Sequence, residues 1–583
     1  MSDPEIARMQ AVLTKQRTAF TAAMPEAMSV RRDRIDRAIA LLIDHKDAFA
    51  KAVSADFGHR STEQTLMTDI MPSVSALKHA RKHFEAWSRD EKRKPTFPLG
   101  LLGAKANVVY QPKGVVGVIA PWNFPVGMVM VPMAGILAAG NRAMVKPSEF
   151  TERVADLMAE VFPQYFAEDE IAVFTGGVEV GTAFSKLPFD HMIFTGATSV
   201  GKHIMRAAAE NLVPVTLELG GKSPTFVGRS ANKAQTGERI ALGKMLNAGQ
   251  ICLAPDYLLV AKDQESEVID SIKQGVTAMY PTLLQNDDYT SVVNGRNYER
   301  LQGYLADARE KGAELIEVNP GGEDFTASNG NKMPLTIVRG VNDDMKVMQE
   351  EIFGPILPVM TYDSIDQAID YVNAHDRPLG LYYFGQDAAE ERKVLGRTIS
   401  GGATVNDVVF HNAMEALPFG GVGPSGMGNY HGQDGFKTFS HARAVYRQPK
   451  LDVAKLAGLK PPYGKSTHAT LARELKKEAF PAPSAGNRAG NRGSGPKYGN
   501  FCGNIRASPT CAGAMPGLGR GQPFATPSQA PKRVIRGRPL AISADPDLPG
   551  DRARLVIAVR VPADGRCAPD RHAQPERGKA QRI

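Results

Sequence analysis

Between about residues 106 and 225 the chain alternates short β-branched apolar runs with amphipathic stretches, and this rhythm constrains the fold more than any other feature. "GVVGVIAP", "RAMVKP", "IAVFTGG", "HMIFTGA" and "PVTLELGG" read as buried strands, with "TERVADLMAEVF" and "GKHIMRAAAENL" as helices between some of them. Apolar runs joined by helical crossovers predict a parallel sheet covered on both faces. In such sheets ligands bind beyond the carboxyl ends of the strands, so chemistry is expected at the polar and Gly-rich tips. A second α/β stretch spans about 226–405 and includes "DYLLVAKD" and "PILPVMTYD"; the Gly-rich "PFGGVGPSGMGNYHG" follows. Residues 4–95 read as helical, with Ile35, Ala38, Leu41, Leu42 and Phe49 near one face and Gly58 as a stop.

Several function classes are excluded early. Gly114 to Asn141 carries no charge and is long enough to span a bilayer. Pro121, Pro125 and Pro132 interrupt it, so it reads as buried strand, turn and buried helix, and no membrane role is expected. The amino terminus lacks a basic region followed by an apolar one, so no secretory signal is expected. Four cysteines are too few for a disulfide framework, which points to a reducing cytoplasm. No His/Cys group has metal-ligand spacing, so no metal is expected. The net charge of +8 is unevenly placed: residues 481–583 hold 17 Lys and Arg against 6 Asp and Glu, leaving residues 1–480 at −3. The last 103 residues are rich in proline and poor in aromatics, and read as a disordered basic tail. Its Arg-Gly pieces do not by themselves imply nucleic-acid binding.

Five short motifs carry candidate chemistry. Cys252 in "NAGQIC" is the one thiol in the first 501 residues. A free thiol titrates at about 8.5, so a nucleophilic cysteine needs a polar, donor-rich setting, which this run could supply. The plain alternative is an inert buried thiol. Glu218 in "LELGGKSP" ends a strand beside a double glycine and could act as a general base, or be a solvated or ion-paired carboxylate. Asn123 in "PWNFP" is held between prolines and could donate to a developing oxyanion, or simply satisfy a turn. "FTGATSVG" places Gly196, Thr198, Ser199 and Gly201 between strand and helix, the context of a phosphate-binding turn, with spacing unlike Gly-x-Gly-x-x-Gly. Lys146 and Glu149 in "VKPSE" could hold ribose hydroxyls or phosphate, or form a surface ion pair. Glu149 would repel a 2′-phosphate, favouring NAD over NADP.

Together and in this order the motifs resemble the aldehyde dehydrogenase superfamily. "EEIFGP" (Glu350–Pro355), "PFGGVGPSGMG" and the 34-residue interval from Glu218 to Cys252 add to the match, which covers roughly residues 5–475. "GQICLAPDYLLV" and "GMGNYHG" resemble the class 3 branch, and "PPYGK" the bacterial coniferyl aldehyde dehydrogenases within it. The resemblance implies a Rossmann-like parallel-sheet NAD-binding domain (1–96 and 114–219, with N-terminal helices), an α/β catalytic domain (220–432) and a small β oligomerisation arm (97–113 and 433–450). Residues 451–480 would extend the arm.

It implies that Cys252 attacks the aldehyde, that Asn123 and the Cys252 N–H hold the oxyanion, and that Glu218 activates the hydrolytic water. Trp122, Lys146, Glu149 and the Gly196–Gly201 turn would hold the dinucleotide, with Glu351 and Phe353 at the nicotinamide ribose and ring. The cofactor would be NAD, with NADP the alternative. The expected activity is oxidation of an aromatic or conjugated aldehyde to its acid by a homodimer. Alternatives are medium-chain or terpenoid aldehydes, transfer of the acyl group to CoA, or a silent structural role. The retained Glu218, which hydrolysis needs, argues against CoA transfer.

Overall fold

The computed structural model describes residues 4–97, 99–327 and 330–476; the tail expected at 481–583 lies outside them. Two parallel-rich sheets dominate. The first holds six strands in the order Gly426–Met427, Val215–Leu219, His191–Gly196, Val115–Ile119, Arg142–Lys146, Ile171–Val173. The last five run parallel, and Gly426–Met427 adds antiparallel to Val215–Leu219. The chain moves outward from Val115–Ile119 through 142–146 and 171–173, then returns to the other side of that strand at 191–196. The switch point thus falls between Val115–Ile119 and His191–Gly196, where a doubly wound sheet opens a crevice.

Val115, Val116 and Val118 are buried, as expected of a strand covered on both faces. The uncharged run then turns through "PWNFP" into the helix Gly127–Ala139, apolar all round and buried at every position except Met128. Pro132 sits inside this helix, and Gly140 ends it at φ +90. Packing on all sides offsets the single backbone hydrogen bond that proline removes.

The second sheet has seven strands in the order Glu314–Val318, Leu335–Arg339, Ile356–Tyr362, Tyr257–Ala261, Pro224–Val227, Gly380–Phe384, Gly402–Val405. All neighbours are parallel except the first pair. Tyr257–Ala261, the "YLLVA" that follows Cys252, lies at its centre and anchors the cysteine loop.

A third, antiparallel sheet joins Glu91–Arg93, Lys105–Pro112 and Ser440–Arg447. Here the structure departs from the expectations. Helix was expected through residue 95, but the last helix of that region ends at Trp87 and Glu91–Arg93 is a strand. Of the expected arm, residues 97–113 hold the strand Lys105–Pro112, and 433–450 hold the end of the helix Gly432–Thr438 followed by the strand Ser440–Arg447. Glu91–Arg93 pairs with Lys105–Pro112 across a loop, and Lys105–Pro112 pairs with the distant Ser440–Arg447, contacts that local periodicity cannot see. Residues 451–476 contain the short helices Val453–Leu456 and Lys465–Glu474.

The helix Lys233–Met245, which leads into the cysteine loop, packs on Glu265–Met279 through a close glycine crossing. A Cβ at Gly237 would collide with the backbone of Ser271. Gly237→Ala is expected to cost about 1–3 kcal/mol by overpacking. Gly303→Ala, on an exposed helix with nothing within 4 Å, is expected to gain about 0.5–1 kcal/mol. Unfolding midpoints of the two variants measured under one set of conditions check both signs.

Candidate active site

The loop before Cys252 is bent in an unusual way. Asn247, Ala248 and Gly249 all take positive φ (52, 51 and 71°). Non-glycine residues held there cost of order 1–3 kcal/mol each and persist only where the surroundings enforce them. The enforcement is a closed hydrogen-bond net. Asn247 Nδ2 donates to the carbonyls of Asn123 (3.1 Å) and Gln250 (3.2 Å), and its N–H donates to Gln64 Oε1 (3.3 Å). Gln250 Nε2 donates to the Asn247 and Ser291 carbonyls, while its Oε1 accepts from the Val293 N–H. At Gly249 a side chain would strike the Gly354 carbonyl. The polar run "NAGQ" thus has a mechanical reason to precede the thiol.

Asn123 follows the carboxyl end of Val115–Ile119, and its Nδ2 donates to the Gln250 carbonyl at 3.1 Å. Its second amide hydrogen remains for a ligand. Glu218 lies near the carboxyl end of Val215–Leu219 and is buried. Cys252 is half-buried where two cavities meet. One, of about 220 Å³, is lined by Trp122, Asn123, Gly196, Arg300, Glu351 and Phe353. The other, of about 240 Å³, is lined mainly by apolar side chains, among them Met71, Phe124, Leu246 and Phe419. Cys252, Glu218 and Met128 line both. A nucleophile, a candidate base and an amide donor therefore converge at a junction with a separate approach from each side.

The electrostatics differ from the donor-rich setting expected for the thiol. Burial, then the carboxylates of Glu218 and Glu351, push the Cys252 thiol well up from its ordinary value. Burial, reinforced by Glu351, raises Glu218 to about 8. Among the described residues neither Glu218 oxygen has a partner at hydrogen-bond geometry, and the group favouring its ionised form is the Cys252 thiol. Burial and Asp256 likewise raise Glu351 to about 8, against the Gly221 N–H. At neutral pH the thiol is protonated and the two carboxyls mostly so. Activation must come from transfer of the thiol proton to an ionised Glu218.

The cofactor-side residues suit a dinucleotide on observations of their own. Glu351 Oε1 is buried without a partner, which a ribose diol would satisfy. The Glu351 carboxylate packs so closely on Gly220 that a Cβ there would displace it. The helix Thr198–Ala209 starts without a side-chain cap, leaving its first N–H groups for an anion. Gly201 lets this helix approach Leu219, whose Cδ2 would lie 2.7 Å from an added Cβ. At Gly196 an added Cβ would lie 2.7 Å from the Phe194 ring. Thr198 and Ser199 line a wider cleft of about 710 Å³ that shares Ala197, Gly220, Arg300 and Glu351 with the cofactor-side cavity. Trp122 and Phe353 meet edge to face at 5.3 Å, and Arg300 holds the Ile352 carbonyl at 2.9 Å. Lys146 and Glu149 form an ion pair at 3.6 Å at the end of the next strand, outside the walls of these cavities. Burial lowers the Lys146 pKa.

Several groups on which this geometry depends were not among the candidate residues. Arg60 and Asp69 form a fully buried ion pair at 2.8 Å; Arg60 also donates to the Asn123 carbonyl, and Asp69 accepts from the Val126 and Gly127 N–H groups. Lys222 bonds Asp256 and the carbonyls of Val347 and Glu350. Lys244 is buried with no hydrogen-bond partner among the described residues, and burial lowers it to about 8. All of these act across long sequence separations, and the one local hint is a charged residue placed in a segment that is otherwise buried.

The model of the aldehyde dehydrogenase family matches residues 5–445. A probable coniferyl aldehyde dehydrogenase of Caulobacter vibrioides is 56% identical over 82% of this chain and 98% of that protein. A coniferyl aldehyde dehydrogenase of a Pseudomonas species is 51% identical over 81% of this chain and 97% of that protein. Among solved structures, Staphylococcus aureus AldH in a substrate-bound state superposes with a TM-score of 0.74 at 34% identity, covering 80% of this chain and 99% of that one. A Mycobacterium tuberculosis aldehyde dehydrogenase complexed with NAD+ superposes at 0.69 and 28%, covering 76% and 91%. The family match, the two-sheet architecture and the Cys252–Glu218–Asn123 junction agree, and the chain belongs to the aldehyde dehydrogenase family.

Proposed function

We propose that this protein oxidises aromatic, conjugated aldehydes of the coniferaldehyde kind to their carboxylic acids, with NAD as the oxidant. The observation that carries this reading is the placement of Cys252 and Glu218 on the shared wall of two cavities, one suited to a dinucleotide and one apolar. The names of the two relatives given above supply the substrate class. The NAD+ complex of a structural neighbour supports the cofactor.

Entering from the apolar side, an aldehyde presents its carbonyl carbon to Cys252 Sγ. Glu218 takes the thiol proton as the S–C bond forms. The free N–H of the Asn123 amide and the Cys252 backbone N–H face the oxygen that gains charge. A dinucleotide held beside Cys252 would supply the hydride acceptor, which would leave a thioester on Cys252. Glu218 releases the first proton to solvent, takes a second from the attacking water, and passes it to the Cys252 thiolate as the C–S bond breaks and the acid leaves. Glu351 would hold the ribose hydroxyls, while the first turn of Thr198–Ala209 would receive the pyrophosphate. Lys146 and Glu149 would hold the adenosine ribose, and Trp122 and Phe353 would shape the nicotinamide side.

A homodimer is part of the reading. The strand Ser440–Arg447 is an outer strand of its sheet with mostly exposed residues, and Leu451, Leu456, Leu459 and Tyr463 nearby in sequence are exposed. An apolar surface beside an open sheet edge suits pairing with a second copy. Among the described residues no helix is long and apolar enough to cross a membrane. A cytoplasmic location is the reading that the cysteine usage favours.

Cys252→Ala is expected to lower kcat/KM by about 10⁴-fold or more, and Glu218→Gln to lower kcat by about 10²–10⁴-fold, both followed as NADH formation. Because a carboxyl raised to about 8 is a base only when ionised, kcat should climb from pH 7 to 9, and Glu218→Gln should flatten that rise. A wild-type profile that falls over this range would contradict the assignment. Cofactor choice is read separately. NAD should exceed NADP in kcat/KM by about tenfold, equivalent to about 1.4 kcal/mol, and Glu149→Gln should narrow the gap by relieving repulsion of the 2′-phosphate.

A further inference from the structure

The substrate-side cavity is walled mostly by apolar groups, yet Glu415 and His431, which the reaction does not use, also line it, beside Tyr430. The Glu415 carboxylate makes no hydrogen bond or ion pair with any described residue, and burial alone raises it to about 7. His431 is 4% exposed. Its Nδ1 is fully buried, and its imidazole has no hydrogen-bond partner among the described residues. Burial, with His411 nearby, lowers it to about 3, so the ring is neutral at working pH. Its orientation is fixed by stacking on Phe419 (4.9 Å, 28°) and by a T-shaped contact with Tyr430 (4.9 Å, 85°).

The backbone holds the two residues together. Gly432, next to His431, takes φ +48 against the Glu415 carbonyl, and a Cβ there would collide with it. The buried Tyr430 interacts electrostatically with Glu218 and Cys252 as well as with Glu415. One ring therefore lies within electrostatic reach of both the catalytic groups and Glu415.

Polar groups that line an apolar cavity without partners are costly, and native structures rarely keep them without a use. An aliphatic chain in this cavity would leave both unpaired. A hydroxyl would satisfy both, since it donates one hydrogen bond and accepts another. The volume of about 240 Å³ lies below the roughly 300–1,000 Å³ that drug-sized ligands occupy, which suits a single aromatic ring with a short unsaturated arm.

We infer that Glu415 and His431 form a subsite for the ring hydroxyl of a phenolic aldehyde whose carbonyl reaches Cys252. The inference rests on the aldehyde oxidation proposed above and adds what selects the substrate. No bond is made or broken at the subsite: the carboxylate accepts from the hydroxyl, and the imidazole donates to its oxygen.

The test compares 4-hydroxycinnamaldehyde with cinnamaldehyde, which differ by that hydroxyl alone. The wild type is expected to favour the hydroxylated aldehyde by about 10–100-fold in kcat/KM, since a site built to hydrogen-bond a hydroxyl discriminates against its absence. Glu415→Leu should reduce that preference at least tenfold, chiefly through KM. Glu415→Gln, which can still accept, should keep part of it. Equal losses on both aldehydes in Glu415→Leu would mean a merely structural role and overturn the subsite. A wild type that oxidises both equally well would also overturn it, while leaving aldehyde oxidation standing. Calorimetric binding of 4-hydroxycinnamate against cinnamate reads the subsite without turnover: tighter binding of the former that Glu415→Leu abolishes supports it, and equal binding refutes it.

Discussion

The active site depends on a buried charge pair that takes no part in the chemistry. Arg60 and Asp69 are both fully buried. Burial pushes Arg60 down and Asp69 up, and the contact between them opposes both shifts. Arg60 stays charged in any protein setting, so the pair is ionised. Such a pair gains little against an apolar replacement, but removing one partner costs about 3–5 kcal/mol. What it fixes is position. Arg60 holds the Asn123 carbonyl at 2.9 Å while Asp69 Oδ1 receives the Val126 and Gly127 N–H groups at 3.1 and 2.8 Å. The turn carrying Asn123 is clamped on both sides. Because Asn247 also donates to the Asn123 carbonyl, the same clamp restrains the three left-handed residues before Cys252. A loop residue, Arg60, and a residue of the helical turn Leu66–Ile70, Asp69, thereby set the geometry of a thiol nearly 200 residues later.

Around that thiol the charge balance is poised and not strongly polarised. Glu351 raises the proton affinity of Glu218, and both raise that of Cys252. Lys244, buried nearby, is itself driven toward its neutral form, although Asp256 and Glu351 favour its charge. The thiol is therefore unreactive until Glu218 takes its proton.

Much of this was legible in the sequence, for physical reasons. Strands such as "GVVGVIA" and "HMIFTG" sit at the middle of a sheet, so their near-continuous apolar character survives tertiary context. The candidate residues Asn123, Lys146, Gly196 and Glu218 then fall at carboxyl ends because a parallel sheet puts every such end on one side. Cys252 gained its role from the company of the other motifs. The less legible features are those set by distant partners. Glu91–Arg93 is a strand only because 105–112 lies beside it, and Gly426–Met427 joins the first sheet because glycine lets the backbone lie against Leu217. The raised proton affinity of Cys252 contradicts the donor-rich setting that "NAGQIC" suggested, since those polar groups are spent on holding the loop.

The central claim is covalent: the aldehyde becomes a thioester on Cys252 that Glu218 helps water to cleave. The most direct measurement is intact-protein mass spectrometry of the wild type and Glu218→Gln, quenched in acid at successive times within the first turnover after mixing with NAD and cinnamaldehyde. The account predicts that the wild type transiently carries an added mass equal to the cinnamoyl acyl group, mapped to Cys252 and absent when NAD is omitted, and that in Glu218→Gln this mass both forms and clears more slowly. Acid product formed by the wild type with no such adduct at any time, or an adduct on another residue, would contradict it.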